Sequence, residues 1–211
     1  MADLKAICEA LMKGNAKLVG DLVKKAVDEK VAPKDILDKG LIAGMGIIGE
    51  KFKKNEVYVP EVLIAARAMH AGLAVLEPLL AKAGVKPTGT FMVGTVKGDL
   101  HDIGKNLVAM MVKGAGFKVI DMGIDVTPEK FVEGVKRDNP QVLGLSALLT
   151  TTMPMMKNTI AAIKAAGLKV KVMIGGAPVT QAYANEIGAD GYAADAASAV
   201  DLAKKLAGVK K

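Results

Sequence analysis

A chain of 211 residues, half of them hydrophobic but only 3% aromatic and none Trp, can bury one or two cores built mainly from small aliphatic side chains, a composition common in α/β proteins. The formal net charge of +7 comes almost entirely from Lys scattered among acids, without interleaved aromatics, so no nucleic-acid partner is expected. The one cysteine, Cys8, excludes an intramolecular disulfide or a Cys-based zinc site and lies where a helix would bury it. No apolar run approaches the roughly 18 residues of a membrane span, and the start of the chain lacks a signal-peptide core. A cytoplasmic protein with no membrane partner is therefore expected.

In chain order, residues 1–88 read as helices. Leu4, Ile7, Cys8 and Leu11 share one face, and Leu18, Val19, Leu22, Val23 and Ala26 repeat at the same spacing. A third helix is expected from Pro33 through Ile48, and a fourth from about Pro60 through Leu79, forming a small antiparallel four-helix bundle. From residue 89 to 211 short β-rich runs alternate with helices. Strands are expected at Thr90–Val96, Phe117–Met122, Val142–Ser146, Val170–Ile174 and, weakly, Gly191–Ala193. Helices are expected to begin near Ile103, Pro128, Met153, Pro178 and Ala196. This alternation predicts a Rossmann-like (flavodoxin-like) α/β domain with a five-stranded parallel sheet, whose ligands sit beyond the carboxyl ends of the strands.

That rule selects four loops. The loop after Met122 yields no candidate residue. The first holds Gly98-Asp99-Leu100-His101-Asp102-Ile103-Gly104, the third Ser146-Ala147-Leu148 with Thr150 and Thr152, and the fourth Gly175-Gly176. A His between two Asp residues is the setting of an oriented imidazole, either a catalytic base or a metal ligand. The same residues also read as an ordinary capped helix start, with Asp99 or Asp102 as the cap.

Taken together, Asp99-x-His101-x-x-Gly104, then Ser146-x-Leu148, then Gly175-Gly176, in this order and at these separations, resemble the signature of the base-off, His-on cobalamin-binding family. The longer string from Thr95 to Asn106 is similar to the methyl-transferring branch, which includes the cobalamin module of methionine synthase and small corrinoid methyl carriers. The resemblance covers nearly the whole chain. Gly49-Glu50-Lys51-Phe52, Val59-Pro60-Glu61-Val62, Ala65–Met69 and Leu76-Glu77-Pro78 are similar to that branch's helical cap.

The resemblance implies a role for each residue. His101 is the lower cobalt ligand, oriented by Asp99, which in turn meets Thr152. Gly98, Asp102, Ile103 and Gly104 approach the corrin. Ser146, Leu148, Thr150, Gly175 and Gly176 line the slot for the nucleotide tail, and Tyr192–Ala196 matches its final loop. Phe52, Val59 and Val62 cover the upper face of the cofactor, whereas His70 has no matching position. The implied cofactor is cobalamin or a related corrinoid, alternating between cob(I)alamin and methylcob(III)alamin. With no other catalytic constellation in the chain, it is expected to be a methyl-carrier subunit without turnover of its own. Its partners would be a substrate:corrinoid methyltransferase, a methylcorrinoid:tetrahydrofolate or thiol methyltransferase, and a reductive activation protein. The alternative is a cobalamin-binding sensor. A mutase subunit would leave the helical cap unexplained.

Overall fold

The computed structural model describes residues 3–209. Two compact units are formed, one running up to Pro87 and taking in Gly114–Gly116, the other comprising Thr88–Lys113 and the chain from Phe117 onward.

The first unit is helical. Helix α1 (Leu4–Met12) starts on Asp3, whose carboxylate accepts the backbone N–H groups of Lys5 and Ala6, and α2 (Ala16–Asp28) starts on Asn15 in the same manner. The expected third helix is one uninterrupted rod in three parts. A first turn, α3 (Pro33–Asp35), leads into a π-helical stretch, Ile36–Ile42, and then into α4 (Ala43–Lys53). Helix α5 (Val59–Lys82) packs along α2 and buries Val62, Ala65, Ala66, Met69, Leu73 and Leu76. Cys8 is buried, as its helical position requires.

No unbroken apolar run reaches membrane-spanning length, but among the described residues α5 is long and, on average, apolar enough to do so by length and composition alone. Counting unbroken apolar runs missed it because Arg67, His70 and Glu77 interrupt a helix that is apolar on average. Its buried face accounts for that composition as the central helix of a bundle.

In the second unit the strands are β1 (Thr90–Thr95), β2 (Lys118–Asp121), β3 (Val142–Ser146), β4 (Lys171–Gly175) and β5 (Gly191–Tyr192). All pair in parallel in the order β2-β1-β3-β4-β5, the flavodoxin-like arrangement, in which strand order reverses between β1 and β3. The helices are α6 (Ile103–Gly114), α7 (Pro128–Asp138), α8 (Pro154–Ala165), α9 (Gln181–Ile187) and α10 (Ala196–Leu206). Helix α9 starts three residues after the expected Pro178. The Val179 N–H closes a turn onto the Gly176 carbonyl, and Thr180 is the residue that caps the helix. The sheet buries Met92, Leu143, Leu145, Val172 and Ile174 against Phe131, Met156, Ile160 and Ile163 of the flanking helices. The few aromatics fit because strand glycines leave them room: a Cβ on Gly94 would lie 2.7 Å from the Phe131 ring.

Candidate functional site

The reversal point of the sheet is where the chemistry-bearing loops converge. Strand β1 ends at Thr95, but Val96 still donates its N–H to the Ser146 carbonyl of β3. The chain then turns sharply. Gly98 adopts φ +81°, which favours glycine, and the Asp99 N–H closes the turn onto the Val96 carbonyl. This turn drives Asp99 inward, where it is completely buried.

Asp99 is the hub of the site. One carboxylate oxygen accepts the His101 backbone N–H at 3.1 Å and lies 2.7 Å from His101 Nδ1. The other accepts the backbone N–H groups of Leu148 (2.8 Å) and Leu149 (3.2 Å) and the Thr152 hydroxyl (2.7 Å). Burial alone would raise the Asp99 carboxyl. The hydrogen bonds from Thr152, from the His101 backbone and ring, and from Leu148 outweigh it and hold the group well below the usual carboxylate range. Asp99 is thus an anion that only accepts, so Nδ1 carries a proton and, in the neutral ring, Nε2 is the nitrogen left with a lone pair. The His101 side chain is half exposed. Its carbonyl is held by the buried Thr95 hydroxyl at 2.9 Å.

The same strand ends expose aliphatic side chains. Every exposed large hydrophobic among the described residues of the second unit follows β1, β2 or β3: Leu100 (66% exposed) and Ile103 (79%), then Ile124, then Leu148 and Leu149. Exposed aliphatics gathered at one end of a sheet mark a surface for an apolar ligand.

The fourth loop meets the third through glycine. Gly175 stands opposite Ser146 in the β3–β4 register. Gly176 has φ +139°, and a Cβ there would lie 1.9 Å from the Ala147 carbonyl oxygen. This glycine is therefore demanded by the chain's own backbone, whatever else the loop receives. A Cβ on Gly104, at the start of α6, would meet no protein atom within 4 Å.

Of the residues singled out in the sequence, Asp99, His101, Leu148 and Thr152 form one hydrogen-bonded group, and Ser146 and Gly175 are paired neighbours beside it. Asp102 instead accepts from Asn106 one turn along α6. Thr150 is exposed. Phe52 and Val59 are half-buried and Val62 fully buried in the helical unit, and His70 is exposed on α5.

Sequence reasoning missed the second loop. Its Asp125 accepts the Gly98 N–H at 2.7 Å, and its Asp121 pairs with the buried Lys105 Nζ. The strand-end rule pointed to this loop, but nothing in its residue types suggested what they touch.

A ring nitrogen held by a buried anion, at strand ends that also expose aliphatic side chains, suits a metal-bearing ligand with apolar surface. Comparison with known proteins agrees. Residues 89–201 match a family described as a B12 binding domain, and residues 3–77 match a second family with the same description. This chain belongs to the corrinoid proteins. It is 42% identical to a corrinoid protein of Desulfitobacterium hafniense over 99% of both chains. It is 44% identical to the dimethylamine corrinoid protein of Methanosarcina barkeri over 96% of both. Among solved structures it resembles a chain of the methanol:cobalamin methyltransferase complex of Methanosarcina barkeri, with a TM-score of 0.87 and 28% identity over 99% of this chain and 80% of that one. The cofactor of this corrinoid protein is accordingly cobalamin or a related corrinoid, and the loops just described are its candidate seat.

Proposed function

We propose that this corrinoid protein holds its cofactor base-off and His-on, with His101 Nε2 as lower cobalt ligand. It then carries a methyl group from a donor-specific methyltransferase to a second methyltransferase acting on tetrahydrofolate or a thiol. The observation that carries the reading is the Asp99–His101 pair, in which a five-fold hydrogen-bonded buried carboxylate leaves the outward ring nitrogen free to ligate. A corrinoid supplies a cobalt centre able to accept and release a methyl group. The chain's own residues bind and orient it. Asp99 fixes the imidazole and keeps a proton on Nδ1, with Thr152 fixing Asp99 in turn. Gly98, Asp102, Ile103 and Gly104 line the corrin. Ser146, Leu148, Thr150, Gly175 and Gly176 line the slot for the nucleotide tail. In this reading residues 89–211 are the corrinoid domain and residues 1–88 the cap, whose Phe52, Val59 and Val62 exclude water from the upper face.

The names of the relatives support a methyltransferase as partner and put methylated amines first among the donors. A reductive activation protein completes the set, acting with the others in the cytoplasm. Reduced holoprotein mixed with a methylamine:corrinoid methyltransferase and its amine is expected to take up one methyl group per cofactor, followed by absorbance. Failure with the methyltransferases for every methyl-donor class would overturn methyl carriage and favour a cobalamin sensor.

Gly104 gives an independent check on the seat. Since a Cβ there meets nothing in the protein, Gly104→Ala should stabilise the first turn of α6 by about 0.5–1 kcal/mol in the cofactor-free chain. The same substitution should weaken corrinoid retention, because the space it fills belongs to the ligand. Unchanged corrinoid affinity in a stabilised variant would remove Gly104 from the seat.

A further inference from the structure

The end of β2 and the loop after it hold both ends of the segment that carries His101. At one end the Asp125 carboxylate accepts the Gly98 N–H at 2.7 Å, and the Asp125 N–H donates to the Asp99 carbonyl at 3.1 Å. At the other end Lys105 of α6, only 3% exposed, pairs with the Asp121 carboxylate. Asp121 also accepts the Gly123 N–H, and the loop is tied to β1 where the Gly123 carbonyl accepts the Thr95 N–H and Val126 donates to the Thr95 carbonyl. Asp125 adopts φ +52°, a region that a non-glycine residue occupies at a cost. Its side chain is exposed to solvent, so core packing does not explain why an acceptor stands there.

We infer that Asp125 is a positioning residue for the cobalt ligand, fixing through Gly98 and Asp99 the turn that presents the His101 imidazole. The inference rests on His101 being the ligand. Asp99 orients the ring about its own bonds, but the position of the Asp99 backbone is set by the turn, and Asp125 grips that turn on both sides of the Gly98–Asp99 peptide. Without the grip the turn gains freedom at the positive-φ glycine, and the ring is presented over a spread of positions. Outer partners of metal ligands commonly alter metal affinity by about 10–100-fold when removed.

The test is the electron paramagnetic resonance spectrum of the cobalt(II) holoprotein, read as the ratio of histidine-ligated to water-ligated cobalt. Asp125→Gly removes the acceptor while relieving the positive φ. Asp125→Asn keeps an acceptor oxygen and tolerates the same φ. The wild type is expected to be predominantly histidine-ligated, Asp125→Gly to lose about tenfold in the ratio, and Asp125→Asn to retain the wild-type value. Thermal unfolding followed in parallel verifies that each variant is folded; should Asp125→Gly not fold, Asp125→Ala takes its place with the same expected loss. An unchanged ratio in the acceptor-less variant, or an equal loss in Asp125→Asn, overturns the inference. A wild-type spectrum without histidine ligation overturns instead the reading on which it rests.

Discussion

Asp99→Ala is expected to destabilise the sheet domain even with no corrinoid added, by about 3 kcal/mol, as three part-buried donors lose a charged acceptor at about 1 kcal/mol each. The Leu148 and Leu149 N–H groups and the His101 N–H all point at the missing carboxylate, whereas the Thr152 hydroxyl can turn its one proton to the Leu149 carbonyl, 2.9 Å away. Asp99→Asn has the same shape but is expected to fail as well. Whichever way the amide faces, its NH2 meets groups that already donate. The contribution of Asp99 has a definite sign in pH. Its folded pKa lies below the ordinary value of 3.8, so its stabilisation is fully present at neutral pH and is lost as pH falls below that value towards the folded one. Urea unfolding of the cofactor-free chain at pH 7 and pH 3 should therefore show a wild-type advantage over Asp99→Asn that shrinks in acid. An equal gap at both pH values would contradict the buried-anion account.

Gly176→Ala is expected to be the most damaging single-methyl change in the fourth loop. A Cβ placed 1.9 Å from the Ala147 carbonyl oxygen cannot be accommodated by rotating a side chain, since the obstacle is backbone. The positive φ adds strain of its own. Either the fourth loop must move by more than an ångström, or the third must, which would displace Leu148 and with it one donor to Asp99. If the loops keep their shape we expect about 2–3 kcal/mol of destabilisation; if they relax instead, restoring that shape on binding costs about 100-fold in corrinoid affinity. Gly175→Ala is the milder companion, with its Cβ 3.2 Å from the Ala193 carbonyl oxygen. A Gly176→Ala variant as stable as the wild type and binding corrinoid equally well would contradict the close approach of the two loops.

These expectations also separate what could be read in the residues from what could not. Alternating β-rich runs and helical periods located all five strands, because burial on both faces of a parallel sheet imposes continuous aliphatic runs such as Val142–Leu145. The π-helical stretch at Ile36–Ile42 was not legible, since its residues carry an ordinary helical pattern. The resemblance to the cobalamin-binding family grouped Asp99, His101 and Thr152, and the fold makes them neighbours because they follow adjacent parallel strands, β1 and β3. Asp125 lay outside that logic. It acts through one backbone N–H that no residue pattern announces, in a conformation more often given to glycine or asparagine. Gly176 was chosen for closeness to a ligand, yet the nearest atom to its missing Cβ belongs to Ala147.

The central claim is that His101 ligates the cobalt, and the chain's two histidines, His70 and His101, make it directly measurable. The cobalt(II) holoprotein should show the three-line splitting of a single axial 14N. Labelling the histidines with 15N should turn it into two lines. The splitting should persist in His70→Ala and vanish in His101→Ala. A splitting indifferent to the histidine label, or one surviving in His101→Ala, would contradict the account.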